Sequence, residues 1–319
     1  MKSELDQLET KLEEATGEQE RLAVMLDLLD VYQDVEYVDG WKLGNEALSL
    51  ATLLNDRMSI ARAHSGLANC LWKLAEHTQG LEHFERALDN YLGLGDLKSV
   101  AHCYCGMGII YGSLEEYRTA LDYFEEGLSA ARRSNAVKLA VTITGNIGHV
   151  YFKIGRYDDG MQCFQNALDY YKHIKDDHGA ANMLGGMAGI HVYQGEYSKG
   201  LELARRALML HKQAKRTRGI AVSMMNVGIA LQKMGKLESA KKELKSALNY
   251  ARSIDFKVTE QDALKNLSQV CTELEQHEEA TMYLRLYLAA EKEEKKASAK
   301  RKNEQFKQRQ QLHAFRHNS

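Results

Sequence analysis

The sequence predicts an all-α chain, a solenoid of stacked helix-turn-helix hairpins, and three observations predict it. Leucine recurs every forty residues, at Leu48, Leu88, Leu128, Leu168, Leu208, Leu248 and Leu288. Small residues keep the same interval eight positions earlier, at Gly40, Gly80, Ala120, Gly160, Gly200, Ala240 and Ala280, as close helix contacts require. Proline is absent from all 319 residues, where average usage would supply roughly sixteen. Proline suits turns, edge strands and first helical turns, so its absence beside 44% hydrophobic residues favours helices with short connections. A repeat of this period overrides the two-domain expectation that length alone would give.

Each element then follows in order. Leu5, Leu8 and Leu12 carry the spacing of a half repeat, so residues 1–18 read as an N-terminal cap with its helix over residues 3–15. Residues 19–290 hold seven repeats. In their upstream halves Gly108, Gly148 and Gly228 share a register with Ala68, Ala188 and Ser268, while Tyr37, Tyr117, Tyr157 and Tyr197 share another. Breaks such as KIGRY fall between the halves and breaks such as GLGD between the units. Two helices of about sixteen residues, each about 24 Å long, fill a unit. One hairpin cannot bury its own apolar face, and stacking supplies the core. Residues 291–319 are charged on all sides, with eight Lys or Arg against one Glu from 295 onward, and read as a C-terminal helix or basic tail.

The stretch NIGHVYFKIGRYDDGMQCFQNAL, residues 146–168, resembles the tetratricopeptide repeat, and the forty-residue period resembles its long-repeat subtype, seen in Pins-type adaptors and bacterial signalling arrays. That resemblance implies a right-handed superhelix whose first helices line a concave, peptide-binding surface. The missing proline after each second helix departs from the family pattern and suggests helices that run on further.

Periodicity separates the two faces of each first helix. Leu67, Cys70, Leu71 and Leu74, or Ile147, Val150, Tyr151 and Ile154, form the stripe expected to face the core. The opposite stripe in repeats two to six holds Arg62, Asn69, Trp72 and Lys73; His102 and Cys105; Asn146, His149, Phe152 and Lys153; Asn182, Gly185, Gly186, Gly189 and Tyr193; and Asn226 and Lys233. Its thirty positions carry no Asp or Glu, where 44 acids in the whole chain would place about four, although the formal net charge is only −2. The candidate peptide site is therefore a basic groove. Arg62, Lys73, Lys153 and Lys233 supply charge with His102 and His149 beside them. Asn69, Asn146, Asn182 and Asn226 would bond a ligand main chain, and Trp72, Phe152 and Tyr193 would anchor apolar groups. Gly66, Gly106, Gly112 and Gly145 join Gly185, Gly186 and Gly189 on this stripe, each at about 1 kcal/mol of helix propensity. They either relieve crowding or bare the helix backbone to a ligand. Gly186 and Gly189 are counted with the site.

Repeat one carries Leu22, Met25, Leu26, Leu29 and Tyr32 at the matching positions, so its face needs a cover: its own cap, the second subunit of a homodimer, or the partner's apolar end.

Catalysis finds no support. No phosphate loop, zinc helix or serine elbow occurs, and unbroken spacing leaves no inserted loop to carry one. No cofactor or metal is expected, His313 and His317 being a lone pair in the tail. Sparse aromatics there argue against nucleic acid. Neither a signal sequence nor a membrane span is seen. Five cysteines without metal spacing, Cys70, Cys103, Cys105, Cys163 and Cys271, read as buried thiols in a cytoplasmic protein. The expected function is a non-catalytic adaptor that binds an acidic peptide. The alternative is a sensory array that transmits through its C-terminal helix to an effector.

Overall fold

The computed structural model describes residues 2–35, 37–293 and 295–297, and every regular element among them is an α-helix. In chain order these are α1 (Lys2–Glu14), α2 (Glu18–Val35), α3 (Tyr37–Leu53), α4 (Arg57–Lys73), α5 (His77–Leu94), α6 (Leu97–Ser113) and α7 (Tyr117–Arg133). There follow α8 (Val137–Lys153), α9 (Tyr157–His173), α10 (Asp177–Tyr193), α11 (Tyr197–Gln213), α12 (Thr217–Lys233), α13 (Leu237–Ser253), α14 (Lys257–Glu273) and α15 over 277–293. From α4 onward, first helices start forty residues apart at 57, 97, 137, 177, 217 and 257. The expected helices of about sixteen residues are seventeen long throughout this series.

One backbone device ends nearly every helix. A residue with positive φ recurs every twenty positions: Asn55, Ala75, Gly95, Glu115, Asn135, Gly155, Lys175, Gly195, Lys215, Gly235, Asp255 and Glu275. At the end of α4, the Ala75 N–H donates to the Trp72 carbonyl at 2.9 Å and the Glu76 N–H to the Leu71 carbonyl at 2.9 Å. This pair of backward bonds is a Schellman motif, which satisfies the orphan carbonyls of the last turn. The same pair closes α8, with Gly155 bonded to Phe152 and Arg156 to Tyr151, and α10, with Gly195 bonded to Val192 and Glu196 to His191. Both amides are in use, so a proline at either position would lose a bond. That accounts for its absence from the breaks.

The next helix starts at once. Asp56, Asp96 and Asp176 cap α4, α6 and α10 by accepting from the amides of Ser59, Ser99 and Gly179 at 3.3, 3.1 and 3.0 Å. Each cap contributes about 1 kcal/mol.

The chain divides into two compact units, residues 1–150 and 151–319, with the division inside α8. In the first, α2, α3 and α4 bury Leu22, Met25, Leu26, Leu29, Trp41, Leu67, Cys70 and Leu71 in one cluster, with Leu12 of α1 packed on it. The apolar stripe of repeat one is thus covered within its own unit, Leu22, Met25, Leu26 and Leu29 being at most 2% exposed. The homodimer reading loses the free apolar face that motivated it. Beside that face lies α1, whose Glu9 accepts from the Tyr32 hydroxyl at 2.6 Å.

In the second unit, α10 to α15 bury Ala188, Leu201, Val227, Leu231, Leu244, Leu248, Leu264, Leu267 and Tyr283. The core stripes stand as read except that Tyr151 is half-buried and Ile154, at the α8 terminus, is 40% exposed. All five cysteines are free; four are buried and Cys163 is half-buried. No helix among the described residues is long and apolar enough to cross a membrane. The tail beyond 297, with His313 and His317, lies outside the described residues.

Candidate functional site

The predicted stripe falls in two places. In the first unit its polar side chains are already engaged. Arg62 donates to Asp27 at 3.0 Å and to Asp30 at 2.6 Å, both from α2. Burial disfavours its charge, but bonds to Asp30 and Asp27 outweigh that and raise its pKa. Asn69 donates to the Gln33 side chain at 2.8 Å, and Lys73 to the Gln33 carbonyl at 2.5 Å. The Trp72 indole N–H lies 3.5 Å from the Ser113 hydroxyl, and Asn146 reaches buried Cys105 at 3.4 Å. These partners stand 32 to 41 residues away on the neighbouring first helix. The stripe here joins repeat to repeat. His102 and His149 are exposed.

In the second unit the same helical positions line an open cavity of about 670 Å³. Its walls are Phe152 and Lys153 from the end of α8; Ala188, Gly189, Val192 and Tyr193 from α10; Tyr197 and Gly200 from α11; and Asn226, Ile229 and Lys233 from α12. The forty-residue interval is what places the ends of α8, α10 and α12 on one site, because each closes on the same motif two residues later. Phe152 meets Tyr193 edge-on, ring centroids 5.5 Å apart, and Tyr157 lies 5.9 Å from Tyr193. Tyr193 is 72% exposed, an unusual state for a ring on a packed helix.

Lys153 and Lys233 occupy last turns, where a cation also favours the helix dipole. Neither lysine nor Asn226 has a hydrogen-bond partner among the described residues. Asp262 of α14 feels the charge of Lys153. Desolvation raises its pKa, while Lys265 and Lys153 pull it down. This acid lies in repeat seven, beyond the repeats over which the stripe was read as free of acids. Gln232, beside Lys233, instead spans to Glu273 of α14 at 2.5 Å.

The glycines separate into two groups. A Cβ on Gly186 would lie 2.5 Å from Cζ of Phe164, one on Gly106 would lie 2.2 Å from Cζ of Phe84, and one on Gly66 would lie 2.5 Å from Leu29. Phe84 and Phe164 stand 22 residues earlier, on the preceding second helix. Gly186 is therefore a packing position and its place in the peptide site is corrected. A Cβ on Gly189 would meet Phe152 at an ordinary 3.4 Å, and one on Gly185 nothing nearer than Asn226 at 4.0 Å. Those two bare the α10 backbone. Asn182 is exposed at the start of α10 and does not line the cavity. Tyr197 and Gly200 do line it. Their forty-residue register was visible but read only as a mark of the fold.

Models of the tetratricopeptide repeat match residues 59–133 and 139–213, and 221–254, together more than half of the chain. No curated protein sequence matches it. Among solved structures, a Rap protein complexed with competence and sporulation factor is similar over 92% of this chain and 80% of that one, with a TM-score of 0.76 at 16% identity. The Rap conjugation gene regulator of plasmid pLS20, in complex with the Phr* peptide, is similar over 88% and 75%, with a TM-score of 0.72 at 13% identity. NprR in complex with its cognate peptide NprX is similar over 90% and 92%, with a TM-score of 0.61 at 15% identity. At such identities the likeness is one of fold. With the repeat models matched and hairpins of forty residues throughout, the chain belongs to the tetratricopeptide repeat family.

Proposed function

We propose that the chain is a non-catalytic binding protein, an adaptor or regulator, that takes an acidic peptide segment into the cavity of its second unit. One observation carries this reading: Asn226, Lys153 and Lys233 converge without hydrogen-bond partners on a cavity walled by Phe152 and Tyr193. A cavity of about 300–1,000 Å³ with a few converging polar groups suits a ligand of this size. Two structures of similar fold hold peptides, Phr* and NprX, which supports a peptide as occupant. The amide of Asn226 offers a donor and an acceptor to a peptide main chain, and the lysines offer charge. Arg62, Asn69 and Lys73, being engaged by α2, contribute to the first unit's packing instead.

Capture from lysate tests it, with the wild type compared against the Lys153→Glu/Lys233→Glu variant. Charge reversal should empty the captured set at low salt, and added salt should weaken capture by the wild type. An unchanged set would refute the site.

The transmitting alternative has one observation of its own. Leu284 and Leu288 of α15, one helical turn apart, are 46 and 51% exposed, a face that an effector would cover. Deleting residues 291–319 separates the two, since an adaptor keeps its affinity and a transmitter binds but loses its output.

A further inference from the structure

The end of the second unit opposite the cavity carries cations where turn chemistry favours other residues. The cavity lies toward the ends of α8, α10 and α12, whereas the α9–α10 and α11–α12 turns lie at the starts of α10 and α12. Turns of this kind, from a second helix to the next first helix, place Asn55, Gly95, Asn135 or Asp255 at the left-handed position, types that tolerate positive φ. Here the position holds Lys175 at φ 54 and Lys215 at φ 53. The next residue caps the following helix. Asp56, Asp96 and Asp176 do so with a side-chain bond, whereas Arg216 makes none and sets its charge against the positive end of the α12 dipole. Lys172 and Lys212 stand in last turns, where a cation suits the dipole. Local structure thus accounts for those two and disfavours Lys175, Lys215 and Arg216, the kind of conflict that marks a functional surface.

All five cations are exposed, and none has an ion-pair partner among the described residues. The acids beside them are Asp176, engaged in its cap, and exposed Asp177. The helices α9 to α13 are all seventeen residues long and pack in sequence, so these turns and the α13–α14 turn end level and one flat surface can reach them together. Ile174 and Val258, 39 and 57% exposed, add aliphatic side chains to this edge. Such a mixture suits anionic lipid, whose headgroups take the cations and whose acyl boundary takes the aliphatics. A nucleic acid would gain nothing from the aliphatics, and no described residue of these turns offers an exposed aromatic ring to stack a base. We propose that this edge docks the second unit on an anionic lipid surface, with the peptide cavity held about 25 Å away at the other end of α10 and α12.

Co-sedimentation of the full chain with phosphatidylcholine vesicles, with and without phosphatidylserine, tests this. At low salt the wild type should sediment with the anionic vesicles and not with the neutral ones, and added salt should release it. Each cation at such a surface contributes roughly fivefold to partitioning, so Lys175→Asn/Lys215→Asn should weaken it by about twentyfold. Asparagine suits the left-handed turn, so the same variant should melt no lower than the wild type. Failure to bind anionic vesicles, equal binding to neutral ones, or undiminished binding by the variant would overturn the proposal. A melt below that of the wild type would show that the turn itself favours lysine, and would overturn it as well. Displacement from the vesicles by a DNA duplex at lower charge concentration than by free anionic vesicles would put nucleic acid in place of lipid.

Discussion

Two glycines three residues apart in α10 should respond to the same substitution with opposite signs. At Gly189, alanine gains about 1 kcal/mol of helix propensity and its Cβ meets Phe152 at van der Waals distance, so Gly189→Ala should stabilise the chain by about that amount. At Gly186 the same propensity gain applies, but the Cβ would stand 2.5 Å from Cζ and 2.7 Å from Cε2 of Phe164. Contacts that short do not exist, so something must move. Phe164 is fully buried and has no room to swing. Overpacking of this kind costs about 1–3 kcal/mol, which cancels or exceeds the propensity gain. The gap between the two variants should therefore be about 1–3 kcal/mol, read as a difference in urea midpoint at constant slope. Gly185→Ala, with nothing nearer than 4.0 Å, serves as a second open control. If Gly186→Ala proves as stable as Gly185→Ala, then Phe164 yields without cost and the division of glycines into packing and open positions is wrong.

Other outcomes follow from features of the same kind. Buried His64 faces His83 at 2.9 Å and buried His211 faces His178 at 3.5 Å. Burial, aided by Arg86 at His64 and by His178 and Arg216 at His211, holds each buried pKa near 4 rather than 6.5. The unfolded chain then binds more protons between those values, so stability is full above pH 6.5 and falls toward pH 4. From pH 7 to pH 5 each histidine should cost about 2 kcal/mol. Urea midpoints flat over that range would exclude it, and His64→Gln/His211→Gln should remove most of the slope. Ala75 sits at φ 58 as the left-handed residue of its turn, so Ala75→Gly should raise stability by about 1 kcal/mol. Gly155→Ala, at φ +79 with no atom near the added Cβ, should lower it by a similar amount; thermal melts showing no change in either would count against strain at these turns. Charge reversal at Lys153 and Lys233 should abolish capture while lowering the melt only slightly, since neither lysine has a hydrogen-bond partner among the described residues and Lys153 gives up only its attraction to Asp262.

Most of the fold was legible because spacing alone encodes it. The interval from Leu48 to Leu288 reappears as helix starts forty residues apart. The turn geometry was not legible, because eight of its twelve left-handed positions are Asn, Asp, Ala, Glu or Lys rather than Gly. Which stripe faces away from the core was readable from the 3.6 period. Which of its polar residues stay unpaired was not, since Arg62 and Asn69 find partners 32 to 36 residues away on α2, whereas Asn226 finds none. A single helix pattern carries no term for its neighbour's side chains. The same limit hid the packing role of Gly186, which depends on Phe164 in the helix before it.

The left-handed residues also govern how such a chain can change length. Asn135 and Lys175 share almost the same φ, 55° and 54°, and each is followed by a residue that opens the next first helix. Excising the forty residues between two such points would join ends whose geometry already agrees, and duplicating them would insert a finished hairpin. A loss of one or two residues would instead rotate every later side chain off its face. Growth by whole hairpins is the route this backbone leaves open.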